Sequence, residues 1–303
     1  MRWEEVSTPI GGNKRWALAG LALTSLFWAG NALVARGVGE MISPLSLSFL
    51  RWLLCSLILL PFTIRSLRRH FHRLRQYRWQ LIALAALSVA TYNSLLYLAG
   101  RSTSALNLTL VSSLLPLATA ALARPLLGHS LTRQVLTGIV IAFAGAVYMI
   151  VQGDLDVLRS LQIYPGDAIM LLAMFLWALY SVLLRRWSLP LGGLDLFALL
   201  VPTGVLILLP VFLVDIQHHG GVTFTWPLVF ILAYVSIFAS LAAYLLWNYG
   251  VRETSPATAA LFAYLIPVFT ALLGIPILGE YPHVYHAVGG GMILFGLIWS
   301  QRA

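Results

Sequence analysis

RSTSALNLTLVSSLLPLATAALARPLLG, residues 101–128, and RETSPATAALFAYLIPVFTALLGIPILG, residues 252–279, decide how this chain folds. Set one above the other, they share Arg101, Ser104, Pro116, Pro125 and Gly128 with Arg252, Ser255, Pro267, Pro276 and Gly279, each 151 residues apart. The series continues as Gly138 and Gly145, which return as Gly289 and Gly296. Toward the N-terminus the offset becomes 149: Trp28-Ala29 recurs as Trp177-Ala178, Arg36 as Arg185 and Pro61 as Pro210. A colinear set containing tryptophan, paired prolines and spaced glycines marks an internal duplication in which one copy is two residues longer.

Hydropathy says where the two copies live. The residues are 60% hydrophobic and only 10% charged, with a mean hydropathy of +0.87, too few polar groups to cover a water-facing surface. Ten windows are long enough to cross a bilayer, which takes about 20 apolar residues in a helix that satisfies its own backbone. They run Trp16 to Arg36, Pro44 to Ile64, Trp79 to Gly100, Ser104 to Pro125, Gln134 to Gln152, Gly166 to Leu184, Gly193 to Val214, Trp226 to Tyr249, Pro256 to Leu278 and Val284 to Trp299. The first is too long for a signal-peptide core and lacks a small-residue cleavage site, so it is read as retained. Five spans per copy is an odd number, so the second copy must sit upside down relative to the first. The expected fold is an all-α membrane protein of ten transmembrane helices arranged as two inverted five-helix repeats. Residues 1–15 form a cytoplasmic segment, 16–152 the first repeat, 153–165 an external linker and 166–303 the second repeat.

Charge sets the expected orientation. With both termini cytoplasmic, all of the 19 Lys and Arg except Arg36, Arg51, Arg101 and Arg159 fall on the inner side, as the positive-inside rule requires. The net charge of +9 and the run Arg65 to Arg78 fit a juxtamembrane basic loop beside anionic lipid, not a nucleic-acid partner. One cysteine, Cys55, excludes an intrachain disulfide and a cysteine metal cluster. A bacterial inner membrane suits such a chain.

Inverted repeats build carriers in which a small molecule binds near the midplane between the copies. Polar side chains inside the spans mark where. Ser236, Ser240, Tyr244, Asn248 and Arg252 follow one another at four-residue steps along the eighth span, one helical stripe. In the third span the matching stripe holds Asn93, Tyr97 and Arg101. Asn93/Tyr97 thus mirrors Tyr244/Asn248 with the order exchanged, and Asn31 answers Tyr180. Amides and phenols are costly against lipid and should turn inward, onto a cavity or onto neighbouring helices. Trp28, Tyr92, Trp177, Trp247, Phe262 and Tyr264 supply aromatic surface nearby, able to wall a flat ligand or to anchor the bilayer interface. Pro116 and Pro267 lie mid-span, each expected to free the carbonyl four residues earlier, on Ser112 and Ala263, as a hinge or a fixed bend. Arg51 is the one formal charge well inside a span, a placement that costs roughly 2.5 to 3.5 kcal/mol. A substrate carboxylate, backbone carbonyls or snorkelling toward the outer interface would each relieve it.

The Trp-Ala pair of the first span, Arg51, Pro116, and the Leu127-Gly128 and Leu278-Gly279 pairs with Gly138 and Gly289 beyond them resemble the drug/metabolite transporter superfamily, in its ten-helix form with two EamA-type repeats. Within that superfamily the chain is similar to the YddG-type aromatic amino acid exporters. The resemblance covers the chain from about residue 16 and implies export of amino acids, aromatic ones above all, by alternating access. It departs at one place, where Glu280 follows the second Leu-Gly but His129 follows the first. The candidate substrate-binding set, drawn from the inward polar and aromatic side chains and the buried charge, is Trp28, Asn31, Tyr92, Asn93, Tyr97, Trp177, Tyr180, Tyr244, Asn248 and Arg51. A drug or nucleotide-sugar carrier is the alternative within transport, and a passive channel or intramembrane enzyme the alternative outside it.

All ten acids and seven histidines fall in loops or at span ends, so no buried proton carrier is expected and transport should need no proton coupling. Glu280, His283 and His286 lack the two-turn spacing of a helical metal site and are interrupted by Pro282, so no metal is expected. No Walker A, G-x-S-x-G or dinucleotide glycine pattern occurs, leaving ATP-driven, hydrolytic and cofactor chemistry without a motif.

Overall fold

The computed structural model describes residues 14–37, 41–128, 132–154, 156–278 and 283–301. All regular structure among them is helical. We number the spans α1 Lys14–Gly37, α2 Pro44–Phe71, α3 Leu74–Ala99, α4 as Ala105–Ser112 with Leu115–Leu127, α5 Arg133–Ile150, α6 Pro165–Trp187, α7 Gly193–His219, α8 Trp226–Glu253, α9 as Pro256–Phe262 with Leu265–Leu278, and α10 Val284–Ser300. Their starts are written in the sequence. Ser104 accepts the Asn107 N–H at 3.1 Å and Ser255, its repeat equivalent, accepts that of Thr258 at 3.0 Å, so both copies cap the fourth helix the same way. Gly128 ends α4 at φ 72, a left-handed turn that favours glycine; Gly279, His129 and Glu280 lie outside the described residues.

The basic run 65–78 is not a loop. Helical hydrogen bonding continues from Pro44 to Ala85, yet Arg51 bonds Asn93, 42 residues on, at 3.1 Å. A straight helix would hold them about 63 Å apart. The chain therefore bends back on itself between α2 and α3, two helices that abut with no loop between them. Long arginine-rich side chains favour helix and reach water from it, which is why hydropathy ended the spans too early.

The copies repeat their irregularities as well as their helices. Residues Ala86–Thr91 of α3 and Ile237–Ala242 of α8 form wide π turns, again 151 residues apart. α4 and α9 both break shortly ahead of Pro116 and Pro267, and each proline falls in the first turn of a new helical piece, second in Leu115–Leu127 and third in Leu265–Leu278, where its missing N–H costs nothing. The Ala263 carbonyl is not free: it accepts from Ile266 N–H at 3.0 Å. A tight turn has taken the acceptor that a simple kink would have exposed.

Contacts between the copies show the inversion. A Cβ built on Gly138 would lie 2.6 Å from the Gly296 carbonyl oxygen, and one on Gly145 would lie 2.7 Å from that of Gly289. Position 138 is equivalent to 289 and 145 to 296, so α5 and α10 cross antiparallel in a contact that maps onto itself by a two-fold rotation. α2 and α7 behave alike. At one end Asp215 accepts from Ser46 Oγ at 2.7 Å, from Ser46 N–H at 3.2 Å and from Ser43. At the other, Asp195 accepts from Ser66 and lies 3.3 Å from His70 Nε2. Adding 149 turns Ser46 into Asp195 and Ser66 into Asp215, so the two Ser–Asp ties are one tie, rotated. The remaining pairings obey the same rule, with α1 on α8 and α9 matched by α6 on α3 and α4. Apolar side chains such as Leu57, Leu206 and Phe230 stand exposed around the outside, the belt a lipid-facing bundle presents.

Asp215 departs from expectation. Only 5% exposed, it lies inside α7 because that helix runs on to His219 instead of stopping at Val214.

Placing a side chain at the α5–α10 crossing should overpack it. Gly138→Val is expected to lower stability by about 1–3 kcal/mol, read as a fall in the thermal midpoint of purified protein. Gly291→Ala, which meets nothing within 4 Å, should leave the midpoint unchanged or raised. Equal midpoints for Gly138→Val and the parent would remove the crossing from the account.

Candidate functional site

A cavity of about 1010 Å³ occupies the centre of the bundle. Its rim is made by Pro44, Arg101, Gln152 and His283, all on the face that carries the linker between the repeats. The opposite face, where the arginines of the α2–α3 reversal lie, is closed. Trp28, Asn31, Tyr92, Asn93, Tyr97, Trp177 and Tyr244 line the cavity, as do Pro116 and Pro267. Arg51, Tyr180 and Asn248 do not; they sit behind its wall or beneath its floor.

The floor lies on the two-fold axis. Trp28 and Trp177, equivalent positions, meet edge to face with ring centroids 5.6 Å apart. Asn93 and Tyr244, also equivalent, join through Asn93 Nδ2 donating to Tyr244 Oη at 2.9 Å. Tyr92 and Tyr244 pack on Trp177 at 4.9 and 5.0 Å, leaving a concave aromatic surface of the kind that holds flat ligands.

Beneath the floor, α6 and α8 seal the closed end. Tyr180 Oη donates to Asn248 Oδ1 at 2.6 Å, Trp247 Nε1 to Ser181 Oγ at 3.2 Å, Arg252 to the Leu191 carbonyl at 3.1 Å, and Arg185 to the Arg252 carbonyl. Rotation about the axis carries Tyr180 and Asn248 onto Asn31 and Tyr97. These two face the open cavity and do not bond each other. The Asn31 amide has no hydrogen-bond partner among the described residues, and Tyr97 Oη instead accepts from Arg51 at 2.7 Å. One set of equivalent residues is shut and the other is apart.

Arg51 is 1% exposed, so it does not snorkel. Its guanidinium donates from Nε to Ser240 Oγ at 2.8 Å, from one terminal nitrogen to Asn93 Oδ1 at 3.1 Å and Tyr97 Oη, and from the other to the Ala239 carbonyl at 3.2 Å. The π turn of α8 supplies two of these acceptors, Ser240 and Ala239, and Ala239 also takes the Trp28 Nε1–H at 3.2 Å. Widened turns of this sort recur at functional sites.

Several contributors escape a sequence reading. Ser240 stood in the polar stripe, but nothing in the stripe assigns it to Arg51. Ser112, Ser113 and Thr270 line the cavity beside the helix breaks, where hydroxyls next to a mid-span proline were the available signal. The hydroxyl of Tyr264, a residue 2% exposed, has no hydrogen-bond partner among the described residues, and Tyr264 also borders the cavity. No Asp or Glu lines it among the described residues. His286 Nδ1 accepts the His283 backbone N–H at 3.0 Å, a helix cap at the start of α10.

An inverted pair of five-helix repeats around a central cavity open to one face defines an integral membrane transporter. A model of the EamA-like transporter family matches residues 15–151 and 164–301, and the chain belongs to that family. An Archaeoglobus fulgidus protein described as an uncharacterized transporter is 31% identical over 91% of this chain and 94% of its own. Bacillus subtilis YyaM, an uncharacterized transporter, is 27% identical over 91% and 90%, and Escherichia coli YedA, an uncharacterized inner membrane transporter, 27% over 90% and 86%. A solved crystal structure superposes with a TM-score of 0.74 at 17% identity, covering 94% of this chain and 96% of that one, and speaks to the fold.

Tyr180→Phe removes the donor that satisfies buried Asn248 Oδ1 and should cost about 1–3 kcal/mol of thermal stability. Asn31→Leu, at the equivalent but unbonded position, should change it by no more than about 0.5 kcal/mol. Equal losses in the two variants would show that the closed and open ends are not distinct.

Proposed function

We propose that the chain is a secondary transporter that exports aromatic amino acids and related small metabolites by alternating access, with both termini cytoplasmic and no obligatory proton coupling. The observation that carries the proposal is the aromatic-floored cavity on the two-fold axis, closed at one set of equivalent residues and open at the other. Inverted repeats give two packings of one sequence, related by the axis. In the present one, the charge distribution turns the open rim outward.

Trp28, Trp177, Tyr92 and Tyr244 offer an aromatic side chain edge and face contacts, and a ligand ammonium can rest on the same π surfaces. Asn31, Asn93, Tyr97 and, one layer deeper, Arg51 offer hydrogen bonds to its polar end. Tyr180 and Asn248 would face the substrate in the inward-open packing. Pro116 and Pro267, at the breaks of α4 and α9, are the pivots. The lack of a lining carboxylate among the described residues disfavours a cationic drug, and the two carboxylates in α7, Asp195 and Asp215, are bonded away from the cavity.

The test is uptake of labelled amino acids by liposomes holding the purified protein. Phenylalanine, tyrosine and tryptophan should enter saturably down an imposed gradient with no pH difference, ahead of leucine and glutamate. Trp177→Ala and Tyr97→Ala should each raise the half-saturating concentration at least tenfold, about 1.4 kcal/mol of binding. Strict dependence on a pH gradient would remove uncoupled transport, and flux that never saturates would favour a channel.

A further inference from the structure

Resting on the reading of the cavity as a site for aromatic amino acids, we propose that Arg51 is its carboxylate subsite. A bound carboxylate takes the guanidinium edge from Tyr97 and so frees Tyr97 to close onto Asn31.

Charge is the first support. Arg51 is buried, its guanidinium has four hydrogen-bond partners, Ser240, Asn93, Tyr97 and the Ala239 carbonyl, with the Trp52 ring face 5.5 Å away, and all of them are neutral. A guanidinium has five N–H donors and always carries its charge, so four hydrogen bonds leave one donor over and the positive charge unmatched. Truncating or leaving unpaired one side of a buried ion pair is strongly unfavourable, whereas a carboxylate arriving from the cavity matches the fork in two parallel hydrogen bonds. No lining acid among the described residues competes for it.

Position is the second. One terminal nitrogen of Arg51 bonds Asn93 and Tyr97, and both of those side chains line the cavity. Turning Tyr97 aside opens the guanidinium edge to a ligand. Asn31, across the cavity mouth, has an unbonded amide to receive the released phenol.

Symmetry is the third. Tyr180 and Asn248 show what a phenol and an amide do at these positions when nothing intervenes: they bond at 2.6 Å and seal that end. The repeat equivalent of Arg51 is Leu200, buried and apolar. Only the open end therefore contains a competitor for its own gate residue. The competitor favours the open gate until a carboxylate occupies it, which makes closure faster with cargo while leaving the empty carrier a slower return.

Thiol alkylation reads the two ends directly. In a Cys55→Ala background of the full chain in detergent, Leu96→Cys reports the open wall and Ser181→Cys the sealed end. The parent should label at least tenfold faster at position 96 than at 181. Saturating 3-phenylpropionate should shrink that ratio several-fold, and 3-phenylpropionamide, the same ring without the charge, should not. Arg51→Leu should shrink the ratio without any ligand; Tyr97→Phe, whose ring cannot bond Asn31, should hold it at the parental value even with the carboxylate. Equal responses to acid and amide would overturn the proposal, as would a parental ratio in monodisperse Arg51→Leu. Should Arg51→Leu fail to fold, the acid–amide pair and Tyr97→Phe decide alone. A ratio that answers the carboxylate in protein that carries no aromatic amino acid keeps the subsite and removes the substrate reading; flux without any response of the ratio does the reverse.

Discussion

Backbone against backbone at Gly138–Gly296 and Gly145–Gly289 is the constraint on which the molecule depends. Lipid chains are as apolar as leucine, so helices in a bilayer gain little by hiding apolar surface and associate through close packing and hydrogen bonds. Glycine at both ends of an antiparallel crossing lets α5 and α10 approach until carbonyls occupy the space a Cβ would fill. Because the contact is its own rotated image, it fixes the axis. The Ser–Asp ties between α2 and α7 then hold that axis at both faces, and α1 with α8 and α9, or α6 with α3 and α4, are left as the parts that can rearrange about it.

An exact two-fold would make the ends alike, and they are not. Tyr180 meets Asn248, while Asn31 and Tyr97 stand apart with Arg51 holding the phenol. At this place the copies also differ in sequence, with leucine at 200 against arginine at 51. Around it the π turn of α8 bends Ser240 and the Ala239 carbonyl toward the charge, whereas the matching turn of α3 offers the Ser88 carbonyl to Tyr244 at 3.4 Å. Duplication supplied two gates, and divergence at a few positions gave them different resting states.

Much of this could be read from the chain. Odd spans per copy required inversion, and the 149 and 151 offsets name two of the pairs that meet across the axis, Trp28 with Trp177 and Asn93 with Tyr244. The polar stripes of the third and eighth spans did turn inward. What stayed hidden depends on geometry that periodicity does not carry. A π turn inserts one residue's worth of rotation into a helix, so the stripe drawn at four-residue steps cannot tell that Tyr97 and Asn93 line the cavity while Asn248 lies under its floor. Arg51 seemed able to reach the interface because hydropathy does not reveal that Ser240, Asn93 and Tyr97 would surround it. Arginine-rich helix was mistaken for loop at 65–78, since polarity and helicity are independent properties.

The central claim is that two equivalent gates alternate about a common cavity. Cysteine pairs in the Cys55→Ala background, one at positions 32 and 96 and the other at the equivalent positions 181 and 247, stand beside the gate residues and leave them intact, and a short reducible bifunctional thiol reagent followed by uptake in liposomes tests the claim most directly. The 181–247 pair should cross-link in protein without ligand, the 32–96 pair should do so faster when substrate is present, and either cross-link should abolish uptake until it is reduced. Uptake that persists at the parental rate with one gate locked shut would contradict it.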